Sequence, residues 1–267
     1  MPTRLPTPSD FPPSLTLTLT PPPKPPSPSP STTTRPPPNI LLLLHGLGDT
    51  HTPFTRLASQ LSLPETTVLT IRAPNPLPFD LPGFHWGDDI NFDSRTGALD
   101  MDAGFDKVTR LLLKDVISDV LVGICGYKLN EILVWGFGQG GMVGAVLAAS
   151  LHERSRSEGG GGGELGGVIS IGAPYPLSLA GKVNKDGSGK GKSRTPILLV
   201  YGRDSEAVTE SAVKRTQDVF AFVETHEYKR RGDTMPRSRE EMTPIMRFLG
   251  RRLRSWQGVP EGAVELS

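Results

Sequence analysis

With one cysteine in 267 residues, Cys125, the chain holds no internal disulfide and suits a reducing compartment. Cys125 ends an apolar helical stretch with no base beside it, so it reads as a buried small hydrophobe. Charge of one sign is missing too. Lysine and arginine number 29 against 28 acidic residues, a net +1 that leaves no footprint for nucleic acid. The local basic run Arg247, Arg251, Arg252 and Arg254 reads as a solvated helix face. No apolar run approaches the roughly 18–20 residues of a membrane span. The first residues lack the apolar core of a secretory leader. A cytoplasmic protein with no membrane span is the expectation.

What the chain has in quantity is proline (27) and glycine (30), unevenly placed. Residues 1–38 form a Pro/Ser/Thr-rich arm, expected to be largely disordered because proline removes backbone donors and favours solvated extended chain. Within it residues 14–20, SLTLTLT, alternate with period two and predict an edge strand. Pro21 to Pro30 reads as a linker, or as a docking segment for a protein partner with an aromatic-lined groove. Residues 39–256 alternate strand and helix, and 257–267 form a flexible tail. Predicted strands are Ile40 to Leu44, Thr67 to Ile71, Ile132 to Trp135, Gly167 to Ile171, Ile197 to Tyr201 and Phe222 to Tyr228. Predicted helices are Pro53 to Leu61, a stretch capped by Asp102 and ending near Gly123, one through Leu151, Glu210 to Phe220, and one from the Ser238 capping box to Trp256. Ser157 to Gly163 and Gly181 to Lys192 read as flexible surface insertions. Such alternation predicts an α/β fold, a mostly parallel sheet with helices on both faces and ligands at the carboxyl ends of its strands.

The organising stretch is Glu131 to Ala149, EILVWGFGQGGMVGAVLAA. An apolar strand enters a glycine-dense corner and a small-residue helix leaves it, the setting in which G-x-S-x-G lifts a serine above a sheet. Here the pattern is Gly136-Phe137-Gly138-Gln139-Gly140, and Gly138 stands where the hydroxyl belongs.

With Leu41-Leu42-Leu43-Leu44-His45-Gly46-Leu47-Gly48-Asp49, Ala73-Pro74, Trp86 among acids, the Gly-Phe-x-Gln-Gly-Gly elbow and a closing Glu-Met-x-x-x-x-x-Phe-Leu helix in order, residues 39 to 253 resemble the phospholipase/carboxylesterase family. Its best-known α/β-hydrolases are acyl-protein thioesterases. The proline-rich start resembles fungal members. The resemblance implies an α/β-hydrolase fold, a serine nucleophile at Gly138, an acid near Asp204 or Ser205, and a histidine where Asp233 stands. It also implies an oxyanion hole from the backbone N–H groups of Leu47 and Gln139, with His45 and Trp86 beside it. The residues present depart from that pattern. Glycine offers nothing to acylate, Ser205 replaces the acid with Asp204 one residue early, and Gly232-Asp233-Thr234-Met235-Pro236 holds no histidine.

Other residues of the chain offer substitutes. His51 and His85 lie in loops at the carboxyl edge. His152 and His226 read as structural or solvated. Ser170 and Ser205 are the nearest serines, Asp204 with Asp233 suggests a carboxylate pair, and Phe79, Phe84 and Trp86 suggest an aromatic pocket lining. Asp89, Asn91, Asp93 and Asp100 have partial calcium-loop spacing, but Ser94 stands where glycine is required and Asp100 is shorter than glutamate. No metal or cofactor is expected. Three functions stay open. One is a noncatalytic or very weak hydrolase that binds an acyl, ester or carboxylate ligand. The second is an active ester or thioester hydrolase with an unconventional site. The third is an interaction module working through the arm. Chemistry favours the first.

Overall fold

The computed structural model describes residues 3–23, 35–92, 97, 99–159, 163–180 and 191–259. Its frame is a seven-stranded sheet in the order β1-β3-β2-β6-β7-β8-β9. β1 (Leu17–Thr20) runs antiparallel to β3 (Thr66–Ile71), pairing Leu17 with Ile71 and Thr20 with Val68. β2 (Asn39–Leu44) lies parallel between β3 and β6 (Ile132–Phe137). Beyond β6, strands β7 (Gly167–Ile171), β8 (Ile197–Gly202) and β9 (Val223–Tyr228) follow in parallel. A short hairpin, β4 (Asn75–Pro76) with β5 (Phe84–His85), stands apart.

The continuous leucines of β2 are explained by burial on both faces, where alternation would waste half the strand. Ile40, Leu42 and Leu44 face a core shared with α3 (Gln139–Ser157) and the helix before it. Leu41 and Leu43 face another core, filled by Phe54 and Ala58 of α1 (His51–Leu61) and Ile245, Phe248 and Leu249 of α5 (Arg239–Gly250). Helices therefore cover both faces, as expected. α4 (Glu210–Val219) begins at Thr209, whose hydroxyl accepts from the Ala212 N–H.

Three expectations need correction. The arm is not a loose tether throughout: residues 3–23 lie on the domain, with Phe11 buried in the same core cluster as Ile71 and Trp86. The helix after the acidic loop begins at Asp106, not after an Asp102 cap. α2 (Asp106–Leu111) takes its cap from afar, because the Asp88 carboxylate accepts from the N–H groups of Asp106 and Lys107 at 2.7 Å each. It continues over Leu112–Ile124 as π-helix, closed by Cys125 N–H donating to Val120 O at 2.8 Å. α5 stops at Gly250 rather than Trp256, because the backbone beyond it bonds elsewhere. Asn39 grips Arg254 at both its N–H and its carbonyl, and Trp256 Nε1 donates to Pro36 O. Residues 24–34 of the proline-rich segment, 160–162 and 181–190 of the two glycine-rich loops, 260–267 of the tail, and Asp93 with Ser94 lie outside the described residues.

Candidate functional site

The chain leaves β2 toward β3 on one side and later returns to β6 on the other, so the carboxyl ends of β2 and β6 form the switch point of the sheet. His45-Gly46-Leu47 leaves β2 there, and Gly138 leaves β6. Gly138 holds φ +51° and ψ −123°, a backbone state open to glycine and strained for any other residue. Its N–H donates to Ile171 O at 2.8 Å, and its carbonyl accepts from the Gly141 N–H at 2.9 Å. The sharp strand-to-helix corner expected from the glycine pattern is thus present around a residue without a side chain.

The glycines at the corner differ in what they make room for. A Cβ on Gly136 would fall 2.2 Å from the Gly140 carbonyl carbon, and one on Gly140 would fall 2.5 Å from the carbonyl oxygens of Leu44 and His45. Those two let backbones meet. A Cβ on Gly138 would meet Met101 Sδ at 3.8 Å and Gly46 Cα at 3.9 Å, ordinary contacts, with no histidine within 4 Å among the described residues. Gly138 is buried, and the flexible Met101 thioether stands over it.

Gln139 begins α3, so its N–H belongs to the first turn and has no acceptor within the helix. Leu47 is half-buried in the facing loop. The Gln139 side chain staples that region: its Oε1 accepts from Trp86 N–H at 2.7 Å, and its Nε2 donates to Met101 O at 3.1 Å. The cover over Gly138 is therefore held by the residue that follows Gly138.

His45 and Trp86 are the residues expected beside a ligand. Both are fully buried. His45 Nε2 accepts from Ala73 N–H at 2.9 Å, which puts the proton on Nδ1, 2.8 Å from the Gly46 carbonyl it donates to. Burial pushes the His45 pKa down, so the ring is neutral. Trp86 Nε1 donates to His45 O at 2.8 Å, with the rings 5.3 Å apart. The pair positions the loop carrying Leu47. Nor do the other aromatics line a pocket together: Phe79 is exposed, and Phe84 lies under the Arg72 guanidinium.

The acid and base positions also meet otherwise than as a pair of Asp204 with Asp233. Asp233 Oδ1 accepts from Gly202 N–H at 2.9 Å, and Oδ2 accepts from the Ser205 hydroxyl at 2.6 Å. Ser205 Oγ in turn accepts from Val208 N–H at 2.9 Å. Asp204 turns outward, where it accepts from Gly232 N–H at 2.7 Å and faces the Arg231 guanidinium at 3.7 Å. Asp204 and Asp233 are thus held by separate partners, while Ser205 and Asp233 are bonded to each other. Ser170 is buried in β7 and donates to Ala173 O, so it is committed to the backbone. His51 opens α1 and His85 lies in β5. Each has an Nδ1 without a partner and a pKa pushed down by burial. His152 bonds Gly191 O near the end of α3, and His226 packs on Tyr228 in β9.

Residue patterns did not reveal Met101 over the elbow, Asp88 as a helix cap, or the tie from Asp102 to Ser178. In that tie the Asp102 carboxylate accepts from the Ser178 N–H at 2.9 Å. Each joins positions far apart in sequence by hydrogen bonds that carry no local spacing. Among the described residues no group of three or more His, Cys, Asp or Glu side chains is placed to hold a metal. None of their helices is long and apolar enough to cross a membrane.

Comparison with known proteins places these features in context. The phospholipase/carboxylesterase family model matches residues 31–252. An uncharacterised hydrolase of Schizosaccharomyces pombe is 34% identical over 147 residues, 53% of this chain and 55% of its own. One of Mycosarcoma maydis is 36% identical over 175 residues, 65% of this chain and 60% of its own. The aligned part thus spans somewhat over half the length of these curated relatives. Among solved structures, esterase PE8 superposes with TM-score 0.66 at 19% identity, covering 90% of this chain and 99% of that one. Zea mays acyl-protein thioesterase 2 superposes with TM-score 0.59 at 19% identity and the same coverage. At those identities the likeness is one of fold.

Proposed function

Because the chain belongs to the phospholipase/carboxylesterase family of α/β-hydrolases, we propose that it is a noncatalytic or very weakly catalytic member that binds an acyl or carboxylate ligand at the elbow. The observation that carries this reading is Gly138 itself. It holds the strained conformation in which the family presents a nucleophile, with room for a Cβ and none there. Acyl transfer by a triad needs a hydroxyl or thiol, a base to take its proton and a carboxylate to orient the base. The base position carries Asp233, and a hydroxyl donor, Ser205, stands where the orienting acid belongs. That arrangement is the reverse of what proton abstraction requires.

What supports binding is the set of donors. The N–H groups of Leu47 and Gln139 take the places of the family's oxyanion hole, and the positive end of α3 favours an anionic or carbonyl oxygen there. Met101 has to swing aside to admit such a group, which an unbranched thioether does readily.

The test compares the purified protein with water alone on short- and long-chain thioesters and esters, alongside a serine-trapping fluorophosphonate. Turnover no more than about 10³- to 10⁴-fold above water, the level left to a triad-stripped site, and no labelling are expected. Turnover of many substrate equivalents well above that level would show a working hydrolase and reject the reading.

A further inference from the structure

The two edges of the seven-stranded sheet are built differently. β9 carries Glu224, His226 and Glu227, and Arg251 pairs with Glu224 at 2.6 Å. Charges of that kind deter another strand from pairing. β1 has none. Residues 11–23, FPPSLTLTLTPPP, hold no charged side chain, and all four residues of the strand are part-exposed.

The register against β3 shows which backbone groups β1 leaves over. Arg72 N–H donates to Thr16 O at 2.9 Å, so residues 16, 18 and 20 are the hydrogen-bonded partners of β3. The N–H and C=O groups of Leu17 and Leu19 therefore point away from the sheet. No hydrogen bond reaches them among the described residues.

Residues 16–20, TLTLT, read the same in both directions about Thr18. Turned end for end, a second such strand sets Leu17 opposite Leu19 and Thr18 opposite itself. Leu17 and Leu19 then exchange N–H···O=C bonds in both directions across the join, satisfying every outward group of the strand centre. Threonine meets threonine, leucine meets leucine, and no like charges face each other, a match that stabilises antiparallel pairs. The same two-fold brings the second copy's Leu15 opposite Pro21. Beside Pro21 lies a groove of about 250 Å³ that Thr20, Pro23, Ala58, Ser59 and Leu63 also line, so the contact widens beyond the strand pair. The prolines at 12, 13 and 21–23 end the stretch on either side, and β9 offers no second edge of this kind, so pairing closes at two copies.

We propose that the chain forms a two-fold dimer in which β1 pairs antiparallel with β1 of a second copy, joining two sheets into one. This contact is independent of the chemistry at the elbow.

Sedimentation equilibrium of the full chain tests it, with a dimer of micromolar dissociation constant expected. Thr18→Lys and Thr18→Glu each set like charges at the two-fold and should weaken the dimer about fivefold or more. An equimolar mixture of the two should restore it, which a loss of folding could not mimic. A disulfide reads the register directly. Residues opposed as Thr18 is to itself stand about 4.5 Å apart at Cα, within disulfide range, so Thr18→Cys should cross-link to a covalent dimer under oxidised glutathione. Thr16→Cys, whose counterpart lies about 13 Å away by strand rise, should not, although mixed with Thr20→Cys it should. Cys125 is buried and adds no competing thiol. The proposal is overturned if the wild type stays monomeric up to about 0.2 mM, if Thr18→Lys dimerises as tightly as the wild type, or if Thr18→Cys cross-links no faster than Thr16→Cys.

Discussion

At position 138 two properties that usually coincide in a glycine come apart. The backbone there is at φ +51°, where a side chain is strained, yet a Cβ would meet only ordinary contacts. Gly138→Ser should therefore fold, at a cost of about 1–2 kcal/mol for the backbone state. Gly140→Ala, driven into the carbonyls of Leu44 and His45, should lose more than about 3 kcal/mol or fail to accumulate. Urea unfolding of the two side by side measures the contrast. Chemistry at this scale is equally specific. Ser205 and Asp233 bridge the two loops at 2.6 Å, so an aspartate at 205 and a histidine at 233 would stand within bonding reach. Gly138→Ser alone should stay near wild-type turnover for want of a base. Adding Ser205→Asp and Asp233→His should raise thioester turnover at least about a hundredfold, the usual contribution of a general base, and permit fluorophosphonate labelling. Rapid labelling of Gly138→Ser alone would mean that His51 or His85 already serves as base.

Among the elements, the N-terminal segment has the clearest energetic role. Phe11 is 5% exposed in the main core, and β1 covers the outer edge of β3. Phe11→Ala should cost about 3–5 kcal/mol, read as a lower denaturation midpoint. Deleting residues 1–36 to test the arm as an interaction module would remove this strand and this core residue as well. A second element-scale contact fixes the loop between β9 and α5 that carries Asp233. Glu241 accepts from both Arg230 Nε at 3.0 Å and the other arm of the guanidinium at 3.1 Å, and from Arg237 N–H at 2.7 Å. The hydrogen bond from Arg230 holds the Glu241 carboxyl below the usual range. A depressed folded-state pKa stabilises above the unfolded value, near 4.3, and that stability is lost as pH falls through the folded one. Glu241→Gln should thus lower stability at pH 7 by roughly 0.5–1.5 kcal/mol. The gap from wild type should narrow in acid melts below about pH 4.

For the molecule as a whole, three histidines carry the pH dependence expected above the carboxylate range. His45, His51 and His85 all have pKa values pushed down by burial. Each gains a proton more readily once unfolded, so each supports the fold fully above the unfolded value of about 6.5 and progressively less below it. Within that window each contributes a slope of up to about 1.4 kcal/mol per pH unit. Urea midpoints should fall between pH 7.5 and pH 5, before most carboxylates titrate, and the fall should be shallower in His85→Asn. A flat profile over that interval would contradict the burial of these rings.

Sequence alone determined the parts whose cause is local. β2 and β3 were expected at Ile40 to Leu44 and Thr67 to Ile71 and begin one residue earlier, β2 as a continuous buried apolar run and β3 as a β-branched one that buries the Thr67 and Thr70 hydroxyls without partners. The Ser238 cap and the glycine corner at 136–140 were legible for the same reason: a side-chain oxygen three residues from the N–H it accepts from, and a backbone too crowded for a Cβ at Gly136 and Gly140. Tertiary structure decided whatever depends on groups meeting across the fold. Asp88 caps a helix 18 residues on, Asp233 turns to Ser205 rather than Asp204, and Trp86 donates to the His45 carbonyl. No periodicity encodes such pairings, since each is chosen by which donors the packed sheet brings within about 3 Å of a carboxylate or carbonyl. The missing hydroxyl at 138 belongs to the sequence; the thioether lying over its place belongs to the fold.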